Sequence, residues 1–265
     1  PEDFYPWPAP GDSSLITLSD GFGVGHLRAF VGSLPIPVSD VELRYAANNP
    51  LGDLSFLTGV TRLALGNVAG CSLKLPTSVV NLKLTKRTDW ARLSGTDNLT
   101  HLNVRSEDVR VAGCSKLREL RWKGTWWTPL TVPCETRHMT ALTALTLTVD
   151  GVDPTFVFPP TLARLVLKSH KFGFDSTRLT WLTALTGLRE LVVGTKTGVP
   201  VDLSGLMFLQ QLVAFDVPVS RFPPSLVVCG VSVWSDIDLF TLTRLTNLHV
   251  ALKSNVRLTL PTQLK

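Results

Sequence analysis

Cysteine is scarce in this chain: Cys71, Cys114, Cys134 and Cys229 are the four among 265 residues, with no CxxC pair and no regular spacing. That excludes a disulfide framework as the main source of stability and leaves buried free thiols as the expectation. Charge is sparse too. Lys and Arg number 26 against 21 Asp and Glu, 18% of the chain together, for a net charge of +5. Such a balance permits polyanion binding without demanding it. The longest apolar run, LVVCGVSVW, is far too short to cross a bilayer, and no signal or transit peptide is recognisable. The unpaired cysteines lean toward an intracellular protein, but no residue names a compartment.

Chemistry-bearing constellations are lacking as well. Cys134 and His138 are spaced like ligands, but zinc needs three or four and no second pair is near. The five histidines pair with no obvious nucleophile and acid. In DGFGVG, residues 20–25, the glycines fall as GxGxG rather than GxGxxG, and no strand-helix-strand unit surrounds them, so a turn is expected. Asn98-Leu99-Thr100 is a glycosylation triplet, but its Leu99 belongs to a recurring apolar column. No catalytic residue, metal or cofactor is expected, and the chain is read as a non-enzyme.

What the chain does have is a period. The pattern LxxLxL recurs as VSDVEL, VTRLAL, VVNLKL, LTHLNV, LRELRW, LTALTL, LARLVL, LRELVV, LQQLVA, LVVCGV and LTNLHV. Each of these eleven repeats has three key positions, 33 in all. Thirty are Leu or Val, and the others, Trp122, Ala214 and Cys229, are still apolar. The step between repeats averages about 21 residues, inside the range of a stacked solenoid. Positions 4 and 6 lie two apart and point to one side of a strand. One repeat cannot bury three aliphatic side chains alone, whereas a stack of parallel strands buries them in a continuous core.

Two kinds of segment lead into these strands. One carries proline (LPTSV, FPPTL, FPPSL), and the other reads like LTALTGL or LTRLTNL. Repeats this short leave little room for a helix on the convex side, where extended, turn or 3-10 segments are expected. Residues 1–33 are read as a proline-rich leader and a degenerate N-terminal cap, and residues 34–265 as the solenoid. LPTQLK at the end looks like a twelfth repeat cut short, which implies a natural protein that continues beyond it.

These motifs resemble the leucine-rich-repeat superfamily over about residues 34–265, with a fainter similarity to protist surface repeats and bacterial LPX-type effectors. The resemblance implies a curved, right-handed stack of short parallel strands that binds through its concave sheet. One feature departs from the family. Its usual Asn or Cys, three residues after the last core leucine, is replaced by Val68, Arg87, Glu107, Thr125, Asp150, His170, Lys196, Val217, Trp234 and Lys253.

Positions 3, 5 and 7 of each repeat alternate with the core and should line the concave face. They place Arg62, Lys83, Arg105, Arg121, Lys123, Arg164 and Lys168 as a basic column, and Val166, Val192, Val213, Phe215 and Val228 as an apolar one. His101 and His249 should face solvent there. Trp126 and Trp127, in a long connection, are a possible loop anchor. The expected function is a protein-interaction module with a protein partner. Two alternatives are an acidic polymer held by the basic column, and a substrate-recognition domain of a larger enzyme or effector.

Overall fold

A computed structural model describes residues 15–18, 24–33, 38–43, 52–66, 71–88, 91–106, 109–111, 114–124, 139–148, 157–168, 181–194, 200–233, 235–253, 255–262 and 264. The chain divides into two compact parts, Pro1–Leu117 and Arg118–Lys265.

The N-terminal part contains β1 (Leu15–Leu18), α1 (Val24–Gly32), β2 (Asp40–Leu43), β3 (Arg62–Leu65), β4 (Cys71–Lys74), β5 (Asn81–Thr88), β6 (Ala91–Ser94), β7 (His101–Ser106) and β8 (Val109–Val111). A long parallel sheet runs β1-β2-β3-β5-β7, and a short parallel sheet runs β4-β6-β8. The helix was not foreseen from the sequence. It buries Leu27 and lays the Arg28 guanidinium 4.9 Å from the centre of the Phe56 ring.

The C-terminal part contains β9 (Glu119–Lys123), β10 (Ala144–Thr148), β11 (Arg164–Lys168), β12 (Glu190–Gly194), β13 (Val201–Asp202), β14 (Gln211–Phe215), β15 (Val219–Arg221), β16 (Val228–Val233), β17 (Ile237–Asp238), β18 (Asn247–Leu252) and β19 (Leu258–Thr259). Its long sheet runs β9-β10-β11-β12-β14-β16-β18, all parallel, while β13 pairs with β15 and β17 with β19 on the other side of the core. Each of the eleven repeats thus supplies one long-sheet strand, four in the first part and seven in the second.

Register follows the leucines. Val41, Leu63, Leu82 and Leu102 lie opposite one another in the first part. Leu120, Leu145, Leu165, Leu191, Leu212, Cys229 and Leu248 do so in the second. Slipping any strand by one residue would turn its leucines to the outer face, so burial fixes this alignment. Of the 33 key positions all but Leu248 and Val250 are buried, which leaves 31. Those two stand on β18, the last strand of the order, which among the described residues pairs with β16 on one flank.

A fourth column precedes the three read from the sequence. Three residues before the first positions of the second to eleventh repeats, and of the truncated twelfth, stand Leu57, Pro76, Thr96, Cys114, Met139, Pro159, Leu185, Leu206, Pro223, Leu242 and Pro261, all buried. The carbonyl of each accepts the N–H of the first-position residue, at 2.9 Å for Leu206 to Leu209 and 3.1 Å for Pro76 to Val79. Proline suits this place because it supplies a carbonyl and its missing N–H is not needed. The proline and leucine lead-ins are therefore two solutions to one backbone turn. At one of these turns Gly95, φ 73°, passes so close to Leu75 that a Cβ would lie 2.6 Å from its carbonyl oxygen.

Hydroxyls cross-link successive repeats. Ser78, Thr161 and Ser225, just before the first position, donate to the carbonyls of Val60, Leu142 and Leu209 in the preceding repeat, at 2.7–2.8 Å. Thr61, Thr100, Thr143 and Thr246, at the second position, donate at 3.2–3.3 Å to Ser39, Val80, Arg118 and Val227. The amide of Asn98 joins the series, donating to the Thr77 carbonyl and accepting from Lys116. These bonds hold the side where each chain enters the long sheet. Of the residues in place of the asparagine ladder, Val68, Glu107, Thr125, Asp150, His170, Lys196 and Trp234 lie outside the described set. Val217 is buried, and Lys253 reaches Asp216 at 3.4 Å.

Candidate functional site

The outer face of each long sheet is a grid, with strands as columns and positions 3, 5 and 7 as rows. In the N-terminal part the third-position row runs Asp40, Arg62, Asn81, His101. Asp40 is only 2% exposed, and the Arg62 guanidinium bonds its carboxylate, with Nη2 to Oδ2 at 2.8 Å. That bond holds the Arg62 pKa above its ordinary value, against the pull of burial. Lys83 is half-buried, while Arg105 and His101 are exposed.

In the C-terminal part the third row runs Glu119, Ala144, Arg164, Glu190, Gln211, Val228, Asn247. The fifth runs Arg121, Thr146, Val166, Val192, Val213, Gly230, His249. The seventh begins Lys123, Thr148, Lys168, Gly194, Phe215. Two of the arginines expected to reach a partner already meet carboxylates. The Arg121 Nε lies on Glu119 of its own strand, and the Arg164 Nε lies 2.9 Å from Glu190 of the next. Lys123 is exposed and Lys168 half-buried.

The apolar column is only partly open. Val166 is 5% exposed and so offers almost no contact surface, whereas Val192, Val213 and Val228 are half-buried. Phe215 stands out at 46% exposure. Its row neighbour Gly194 has no side chain, and a Cβ built there meets nothing within 4 Å. Open space thus adjoins Gly194, and Val192 and Val213 stand in the row before it on the same two strands. Past the ring the backbone turns through Asp216, φ 57°, a left-handed conformation that aspartate tolerates better than bulkier residues. Trp126 and Trp127, Cys134 and His138, the leader 1–14 and residues 20–23 lie outside the described residues.

No protein-family model matches the sequence, and no curated protein matches it. Among solved structures, the functional domain of InlJ from Listeria monocytogenes, which includes a cysteine ladder, aligns with a TM-score of 0.51 and 17% identity. The match covers 86% of this chain and 50% of that one, so the present chain spans about half the length of its structural relative. The fold is that of a leucine-rich-repeat solenoid. An internalin, inlF, from the same bacterium aligns with a TM-score of 0.44 at 17% identity, over 83% of this chain and 69% of that one. TLR13, in its complex with ssRNA13, gives 0.38 at 13%, over 81% and 54%. In leucine-rich-repeat vocabulary, the third, fifth and seventh rows are the outward positions of the LxxLxL strands. The fourth column extends the motif to an apolar or small residue three places earlier.

Sequence reasoning missed the ion pairs. Arg121 with Glu119 was accessible in principle, since residues two apart on a strand share a face. Arg164 with Glu190 joins positions 26 residues apart (190 less 164) and shows only once the repeats are aligned side by side.

Proposed function

We propose that this leucine-rich-repeat chain is a non-catalytic recognition module that binds a protein partner through the outer face of the C-terminal long sheet, around Val192, Val213, Phe215 and Val228. The exposure of Phe215 carries the reading. An aromatic ring left 46% open on a regular sheet, beside half-buried valines and an unfilled glycine site, offers apolar area that water covers poorly. Aromatic residues in such settings anchor protein interfaces. The arginine–glutamate pairs neutralise part of the positive charge on the same face, which favours a protein partner over an acidic polymer.

Selection of a displayed random-peptide library on the immobilised chain tests this. Enriched peptides should lose affinity by about tenfold or more on Phe215→Asp, which places a charge in the apolar patch. Equal binding by the variant would remove the site from this face.

A further inference from the structure

The ninth repeat departs from its neighbours at a place the recognition reading does not use, the turn where the chain enters the long sheet. In the second to eleventh repeats the two residues before the first position are small, polar, charged or proline, as in Thr77-Ser78 and Thr186-Gly187, with one exception. The ninth has Met207-Phe208, and the two side chains are 57% and 63% exposed. This is no effect of a chain end, because the strand that follows, β14, is flanked by β12 and β16.

Charge on this entry edge has one sign. The two residues before and the one after the first position make 18 places in repeats six to eleven, three in each of six. They include Arg189 and Arg244 and no Asp or Glu. Arg118, after the first position of the fifth repeat, adds a third cation, and all three arginines are exposed. Glu119 and Glu190, the next residues along two of these strands, belong to the third row of the outer face, where they meet Arg121 and Arg164.

We infer that this edge is a second contact surface, and that it rests on an anionic lipid bilayer. Met207 and Phe208 enter the boundary between headgroups and acyl chains, and Arg118, Arg189 and Arg244 meet the headgroup anions. Exposed large apolar side chains among cations are what such a boundary holds, and no spanning segment is needed. Counted in strand steps of about 4.8 Å, Arg189 lies one step from Phe208, Arg244 two and Arg118 four, so the contact extends roughly 30 Å along the stack.

Other occupants fit less well. The edge hydroxyls of Thr143, Thr161, Ser225 and Thr246 donate inward, to carbonyls of the preceding repeat. A folded protein partner relies on a set of direct hydrogen bonds, and these donors are already engaged. A second copy would set arginine against arginine, because a two-fold contact brings the same patch to both sides. A single-stranded nucleic acid would find one aromatic ring, Phe208, where stacking uses several in succession.

Co-sedimentation of the 265-residue chain with vesicles tests the inference. One set is phosphatidylcholine alone, and the other carries about one-third phosphatidylserine. The chain should bind the anionic set at least about tenfold more tightly, with an affinity that falls as salt rises. Phe208→Asp and Arg189→Glu should each weaken that binding by about tenfold. Both should leave the melting temperature unchanged, because the two side chains are exposed. Phe215→Asp should bind vesicles as the wild type does, since Phe215 lies on the outer face of the sheet and not on this edge.

Absence of binding to the anionic set, or equal binding to both sets, would overturn the inference. Loss of binding in Arg189→Glu with wild-type binding in Phe208→Asp would show charge contact without apolar entry, and the inference would fail. It would fail equally if a lipid-free dimer formed and Phe208→Asp abolished it, or if oligothymidylate displaced the chain fully from vesicles. Vesicle binding lost in Phe215→Asp and kept in Phe208→Asp would move the lipid contact to the other surface and remove it from this one.

Discussion

Cys229 replaces the leucine or valine found at the fourth position of every other repeat. Its side chain is 1% exposed, and burial pushes its thiol pKa up to about 12. An unfolded thiol titrates near 8.5. Between those values the unfolded chain gives up a proton that the folded chain keeps. The stabilising contribution of the neutral thiol is complete below about pH 8.5 and is lost as pH rises, by about 1.4 kcal/mol per pH unit within the window. Urea unfolding at pH 8.0 and 9.5 in reductant should show this loss, and Cys229→Val should make the slope shallower. Part of the slope should survive, because burial also raises Cys114 even though a Thr96 hydrogen bond opposes the shift. Identical slopes in wild type and variant would refute the assignment. The carboxylates of Asp53 and Asp202 shift the opposite way. Each accepts bonds from a serine two residues on, Ser55 and Ser204, and is held below its usual value.

At the scale of the element, β3, β5, β7, β10, β11, β16 and β18 are joined to the previous strand by hydroxyls as well as by the ladder. Ser225 is nearly buried, and its bond to the Leu209 carbonyl is 2.7 Å. Ser225→Ala leaves that carbonyl without its side-chain donor and should cost about 1 kcal/mol. Thr246→Val, at an exposed site with a 3.2 Å bond, should cost less than half of that. Chemical denaturation of the two variants checks the order, and equal losses would show that burial does not set the strength of these links.

How much of an element is legible depends on whether side chain or backbone defines it. The columns at positions 1, 4 and 6 require bulky aliphatic groups, and the sequence displays them. The fourth column holds Leu57, Pro76, Thr96, Cys114 and Met139 in successive repeats, a mixture that no hydropathy pattern joins. These residues share a carbonyl aimed at the next turn, and that property is invisible in a side-chain alphabet. The two lead-in types were visible, but their equivalence was not. The candidate site was legible to the same limited degree. Alternation placed Phe215 and Val213 outward. The closing of Val166, the Arg164–Glu190 pair and the open place at Gly194 depend on strands that meet only after folding.

On the scale of the whole molecule, each part is a stack in which a strand is stabilised by its two neighbours. Within the C-terminal part, β12 and β14 are flanked on both sides, and their core residues Leu191 and Leu212 are fully buried. On β18, by contrast, Leu248 and Val250 are half-exposed and Leu252 is 60% exposed. Hydrogen exchange should therefore be on the order of a hundredfold slower in β12 and β14 than in β18 of the 265-residue chain. Equal protection across the three strands would mean that the last repeat is held by contacts other than its single strand neighbour.

The short strands behind the core repeat on a different count from the long sheet. The front is joined strand by strand from β9 to β18, but behind it β13 is tied to β15 and β17 to β19, and among the described residues no ladder links β15 to β17. Behind β16 the described residues thus carry no strand-to-strand ladder, while the front is joined without a break. The back of the C-terminal part is held in pairs and its front in one run, so loss of a back pair leaves the front ladder intact.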